Sequence, residues 1–161
     1  MAIKKKLSLL TIFLCSAFIL VAGDNQLNGF TEIMDALKAG KEVKVVIHYA
    51  GCQLISDNEI EDKSLDAIGG MTIETWEYFA ENSVHNKLAF LVTSTSHLIQ
   101  NPKGDGYVQN YVKLKITSDN KVKITARYLN AQTFEVQMDE NFFGEINDGK
   151  NNASVFFYEI K

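Results

Sequence analysis

Cysteine, proline and histidine are scarce in this chain of 161 residues, with 2, 1 and 3 copies. Two cysteines cannot build a multiply crosslinked disulfide scaffold or a cysteine-rich zinc module. The single proline, Pro102, keeps company with Gly104 and Gly106 in a loop-like stretch, so it interrupts no hydrogen-bonded ladder. There is no G-x-S-x-G nucleophile elbow, no phosphate-binding glycine loop and no dinucleotide glycine fingerprint. His48, His85 and His97 never fall two apart on a strand or four apart on a helix, so no zinc site is encoded locally. Asp57, Glu59 and Glu61 alternate like the ligands of a calcium loop, but Asp62 stands where the sharp-turn glycine belongs and Ile68 where a bidentate Glu is required. Neither a metal nor a cofactor is expected.

What is present reads as a folded domain, 46% hydrophobic and 22% charged. Lys4, Lys5 and Lys6 precede an apolar run over 7–21 that ends in Ala22 and Gly23. That run is about 15 residues, short of the ~20 that span a bilayer, and nothing later approaches it. The order of basic, apolar and small residues predicts a signal peptide over 1–23, cleaved near Gly23, a periplasmic or secreted protein, and no stable membrane insertion afterwards. Residues 24–161 then form a single domain. Losing three lysines and no acids takes the formal charge from −4 to −7, which argues against nucleic acid as a partner. Cys52 becomes the only thiol: buried, paired with another chain, or reactive.

Phe30, Ile33, Met34 and Leu37 share one helical stripe, with Asn28 placed to cap the start and Gly40 the end. After Gly40 the period drops to two, placing Val43, Val45, Ile47 and Tyr49 on one face. An exposed acidic loop over 56–66 follows, closed by Gly69 and Gly70. Strands are predicted over 71–80, 87–98, 107–117, 121–130, weakly near Phe134, and 153–160. Connections this short fit antiparallel neighbours, so the fold class is α+β: an N-terminal amphipathic helix packed on a curved antiparallel β-meander sheet, half-barrel-like.

One hairpin can be read to its register. Val112, Leu114 and Ile116 must face the core with Val122, Ile124 and Ala126, which requires an odd loop: Ser118, Asp119 and Asn120, with Asn120 left-handed. Tyr107, Tyr111, Lys113, Lys115, Lys123 and Arg127 then form an outward row, with Lys115 opposite Lys123. Opposed like charges cost a few tenths of a kcal/mol and invite an anion, which makes this face a candidate binding surface. In the strand before this hairpin Leu88, Phe90 and Val92 are read as the core face, while Leu91, Thr93, Thr95 and His97 run from apolar to polar, so His97 is expected at the rim of a groove. Phe156 and Tyr158 lie opposite Phe157 on the last strand, which is either covered on both sides or exposes an apolar patch. Asn152, Ala153 and Ser154 form a glycosylation sequon, meaningful in a eukaryote.

These residues together resemble the VirK family of small exported proteins: the helix with Ala36, Leu37 and Gly40 leading through Val43 and Val45 to Cys52, then Gly69 and Gly70, the 87–97 strand, the 107–124 hairpin and Phe156 with Phe157. The resemblance implies export and an association with virulence or host interaction, and brings no catalytic residue. Family members often carry a further cysteine close to the end. Here the stretch 140–158 has none, which leaves Cys52 without that partner. The expected function is a non-enzymatic binding or interaction protein whose partner is an unknown protein. The alternatives are a carrier of a small apolar ligand in the sheet concavity and a thiol-dependent hydrolase using Cys52.

Overall fold

The computed structural model describes residues 25–56 and 59–160, so the predicted signal peptide lies outside the described residues. In chain order the elements are β1 (Gln26–Leu27), α1 (Phe30–Lys38), β2 (Glu42–His48), a 3-10 turn (Tyr49–Gly51), β3 (Gln53–Ser56), β4 (Glu59–Ile60), β5 (Ile68–Thr72), β6 (Trp76–Phe79), β7 (Phe90–Gln100), β8 (Tyr107–Thr117), β9 (Lys121–Asn130), β10 (Val136–Glu145) and β11 (Val155–Ile160).

The stripe of α1 buries Phe30, Ile33, Met34 and Leu37 as its spacing requires. Its end is a Schellman motif: the Gly40 N–H donates to Leu37 O and the Lys41 N–H to Ala36 O, both at 3.0 Å, with Gly40 at φ +73°. Its start differs from expectation. The N-cap is Gly29, and the free amide of Phe30 donates to the side chain of Asn120 at 2.8 Å, so the cap comes from the β8–β9 turn rather than from Asn28. Asn120 is left-handed, φ +65°, as the hairpin demands. Asn120→Gly keeps that backbone and loses only the cap, about 1 kcal/mol. Asn120→Ala adds the left-handed penalty of roughly 1–2 kcal/mol. Denaturant titration of the two variants should therefore rank alanine as the less stable, and equal losses would refute the double role.

The strands form two sheets rather than the single meander expected. A seven-stranded sheet runs β4-β3-β10-β9-β8-β7-β6 and a four-stranded one β1-β11-β2-β5, with antiparallel neighbours throughout; neither closes into a barrel. The meander holds only from β6 to β10. The predicted strand over 71–80 is two strands: residues 73–75 carry the chain from the small sheet to the large one, anchored by the Thr93 hydroxyl donating to Thr75 O at 2.7 Å. Gly69 and Gly70 belong to β5 instead of ending the acidic loop. Phe134 lies in a turn at φ +59°, and the strand sought there is β10, two residues on.

The β8–β9 register is as read, Ile116 opposite Val122 and Lys115 opposite Lys123. The faces of β7 are the reverse of those read. Leu91 and Thr93 point inward, opposite Ile116 and Leu114. Phe90 is buried on the outer face because it stacks on Phe79 at 4.8 Å and lies under the Lys115 ammonium, 4.1 Å from the ring centre. The core lies between the sheets. Val43, Val45, Ile47, Val155 and Phe157 come from the small sheet, Leu54, Leu91, Leu114, Ile116, Val122, Ile124 and Phe142 from the large one, and α1 fills the end nearest the β8–β9 turn.

Candidate functional site

Helix length sets where the site lies. Nine helical residues rise about 13 Å, whereas the eleven residues of β8 extend about 36 Å, so α1 can plug less than half of the space between the sheets. The other half is a cavity of about 620 Å³, within the size range of small-molecule sites. Ile47, Met71, Val112, Ala126, Met138 and Phe142 give it an apolar floor. His97, Asn110, Tyr128, Glu140, Lys103 and Glu74 supply polar groups around that floor. Tyr49 lies edge-on against Phe142, centroids 4.7 Å apart, and its ring sits over Gly69, where a Cβ would come within 2.9 Å of it. Burial, then the neighbouring Cys52 and Tyr128, push the Tyr49 hydroxyl above its ordinary pKa, so it enters the cavity as a neutral donor. Lys103 reaches Glu140 at 4.0 Å, a loose exposed-side pair. His97 lies at the rim as expected, its Nε2 3.0 Å from the Thr95 hydroxyl.

The other candidates, read from the sequence as an outward row, lie on the face of the large sheet away from the cavity. Tyr111, Lys113, Lys115, Lys123 and Arg127 share that outer face, and Tyr107 stands exposed at the start of β8. Arg127 donates to Asp139 at 2.9 Å. The repulsion between Lys115 and Lys123 is relieved within the protein: Lys115 rests on Phe90 and Lys123 on Phe143, 5.5 Å from its centre. A groove of about 960 Å³ runs beside them past Lys121, Gly144 and residues 151–154. No ion pair among the described residues involves Lys113, Lys115, Lys121 or Lys123.

Cys52 is buried, with its Sγ 3.3 Å from the Ser154 hydroxyl and 3.8 Å from His48 O. Burial raises the thiol's pKa, only partly offset by Ser154, whereas a thiolate nucleophile needs it lowered. The imidazole of His48 faces Phe156 at 5.2 Å on the outer side of the small sheet, and His97 lies in the cavity. Neither imidazole is bonded to the thiol, whose contact with His48 is to the backbone carbonyl. Among the described residues no three His, Cys, Asp or Glu side chains gather as a metal site, and no helix is long and apolar enough to cross a membrane.

The family described as VirK protein matches residues 26–134. The chain belongs to the VirK family. A crystal structure of lpg1832, a VirK family protein from Legionella pneumophila, is similar with a TM-score of 0.62 and 19% identity, over 83% of this chain and 98% of that one. No curated protein matches. At that identity the solved VirK structure speaks for the fold alone. The family match ends before β10, which supplies Met138, Glu140 and Phe142 to the cavity of this VirK chain.

Sequence reasoning placed His97 and missed the rest of the cavity. Its walls come from strands far apart in the chain, and a row facing a cavity carries less apolar signal than one facing a core.

Proposed function

We propose that this VirK protein is a non-enzymatic binding protein that takes the apolar part of a ligand between its two sheets. The carrying observation is the half-filled sandwich: one short helix closes one end and leaves a cavity with an apolar floor and a polar rim. This favours the cavity over the lysine face, where two of the cations already lie on aromatic rings. The protein works in the periplasm or outside the cell, on the strength of the basic and apolar start of the chain, and the family resemblance ties it to virulence or host interaction.

Ala126 faces the cavity from β9 and can be filled without touching the core end. The wild-type chain is expected to bind the amphipathic dye anilinonaphthalene sulfonate, and Ala126→Trp to weaken it by about tenfold or more, roughly 1.4 kcal/mol. Fluorescence titration with circular dichroism as the folding control decides it. Equal affinity in the filled variant would rule the cavity out.

A further inference from the structure

The wall of the cavity contains an unfinished strand edge. β6 pairs with β7 only from Phe90 to Thr93, so residues 94–100 of β7 are paired on the β8 side alone. The Ser118 N–H donates to Ala89 O across the β7–β8 ladder, which fixes the alternation: odd residues of β7 bond to β8 and even ones point the other way. Thr75 still stands opposite Ser94 by the β6–β7 register, so the edge is free from Ser96 onward: the backbone groups of Ser96, Leu98 and Gln100 point away from β8, where the described residues supply no strand. Natural edges are blunted by lysines, prolines, bulges or brevity. This one runs over residues 96–100 and holds no Lys, Arg, Asp, Glu or Pro. The inward side chains Thr95 and His97 of β7 line the cavity, so a strand added beside it turns every second side chain toward that space.

We infer that β7 takes up an extended peptide segment as an added antiparallel strand, with alternate apolar side chains entering the cavity and basic residues at the segment's ends. This names the ligand class of the proposed binding site and rests on that reading. The basic ends follow from charge: Glu74 and Glu140 line the cavity against Lys103, the only cation among its described lining residues and loosely paired with Glu140, and Glu61, Asp62 and Asp66 stand in the loop that supplies Leu65 and Ala67 to its wall. β5 has a free edge on the same cavity, but it carries Gly69 and Gly70.

The probe is a synthetic peptide with leucine at alternate positions between terminal lysines, added to the full chain and read by amide hydrogen exchange. Exchange at Ser96, Leu98 and Gln100 is expected to slow at least tenfold. Ser96→Pro deletes an edge-facing N–H and leaves the β8 ladder intact; it should abolish binding, while Ser96→Ala retains it. A peptide N-methylated at every second residue should fail on the wild type, a test that needs no variant to fold. Unchanged exchange, or equal binding of the methylated peptide, overturns the inference. So does a dimer in sedimentation that Ser96→Pro dissolves, since a second copy then fills the edge. If the peptide fails while anilinonaphthalene sulfonate still enters, the strand inference falls and the cavity reading stands; if both fail, both fall.

Discussion

Ser154→Cys is expected to form a disulfide with Cys52 on air oxidation and to raise the melting temperature by roughly 10 °C. The two side chains already touch, Sγ to Oγ 3.3 Å, and two glycines clear the space around them. A Cβ on Gly51 would come within 2.8 Å of the Ser154 Cβ, and one on Gly144 within 3.1 Å of the Cys52 Sγ. The partners are 102 positions apart, and closing a loop of about that length removes enough unfolded-state entropy for about 4–5 kcal/mol in the chain-entropy treatment, with 2–4 the common yield. In the variant lacking residues 1–23, and with them Cys15, thiol titration should find no free sulfhydryl when oxidised and two after reduction, and reduction should cancel the gain. Persisting thiols in the folded variant, or a bridge without a rise in melting temperature, would show that the two backbones are not held at bonding distance.

The second large effect is Phe142→Ala, expected to cost about 3–5 kcal/mol. Phe142 is 1% exposed, opposes Ile124 and Leu54 across two ladders and supports the ring of Tyr49. Its loss deepens the cavity floor into the core and leaves Tyr49 unsupported. Leu65, exposed at the rim, should cost less than about 0.5 kcal/mol when truncated. Urea titration of both variants at unchanged m-value checks the contrast. A loss below 1 kcal/mol for Phe142→Ala would mean that the two sheets close over the gap, and that the space between them is not held open by packing.

The parts of the fold that were legible in the sequence are those governed by neighbours in the chain. The stripe of α1 and its Gly40 ending follow from helical spacing and one left-handed residue, and the β8–β9 register follows from parity and a three-residue turn. β10 is read only weakly, near Phe134, because its inward row, Met138, Glu140, Phe142 and Gly144, faces the cavity and the close contact at Cys52, so it lacks the apolar regularity of a core strand. β7 was read with its faces exchanged because it is apolar on both: Leu91 serves the core while Phe90 is covered by Phe79 and the ammonium of Lys115. The split between two sheets depends on residues 73–75, where no proline or glycine marks the crossing. Of the site, His97 was visible because the inward row of its strand turns polar, whereas Tyr49, Tyr128 and Met138 become neighbours only through pairings of distant strands.

The placement of β11 between β1 and β2 bears on the order in which the chain acquires its shape. Gln26 pairs with Tyr158, so the four-stranded sheet joins the first described strand to the last and cannot be assembled until residues 155–160 have been made. The β6–β10 hairpins close locally and early, at small entropic cost. A chain that has not yet made β11 therefore holds β2 with one edge unpaired, and shielding that edge from aggregation falls to whatever accompanies the polypeptide until β11 is available.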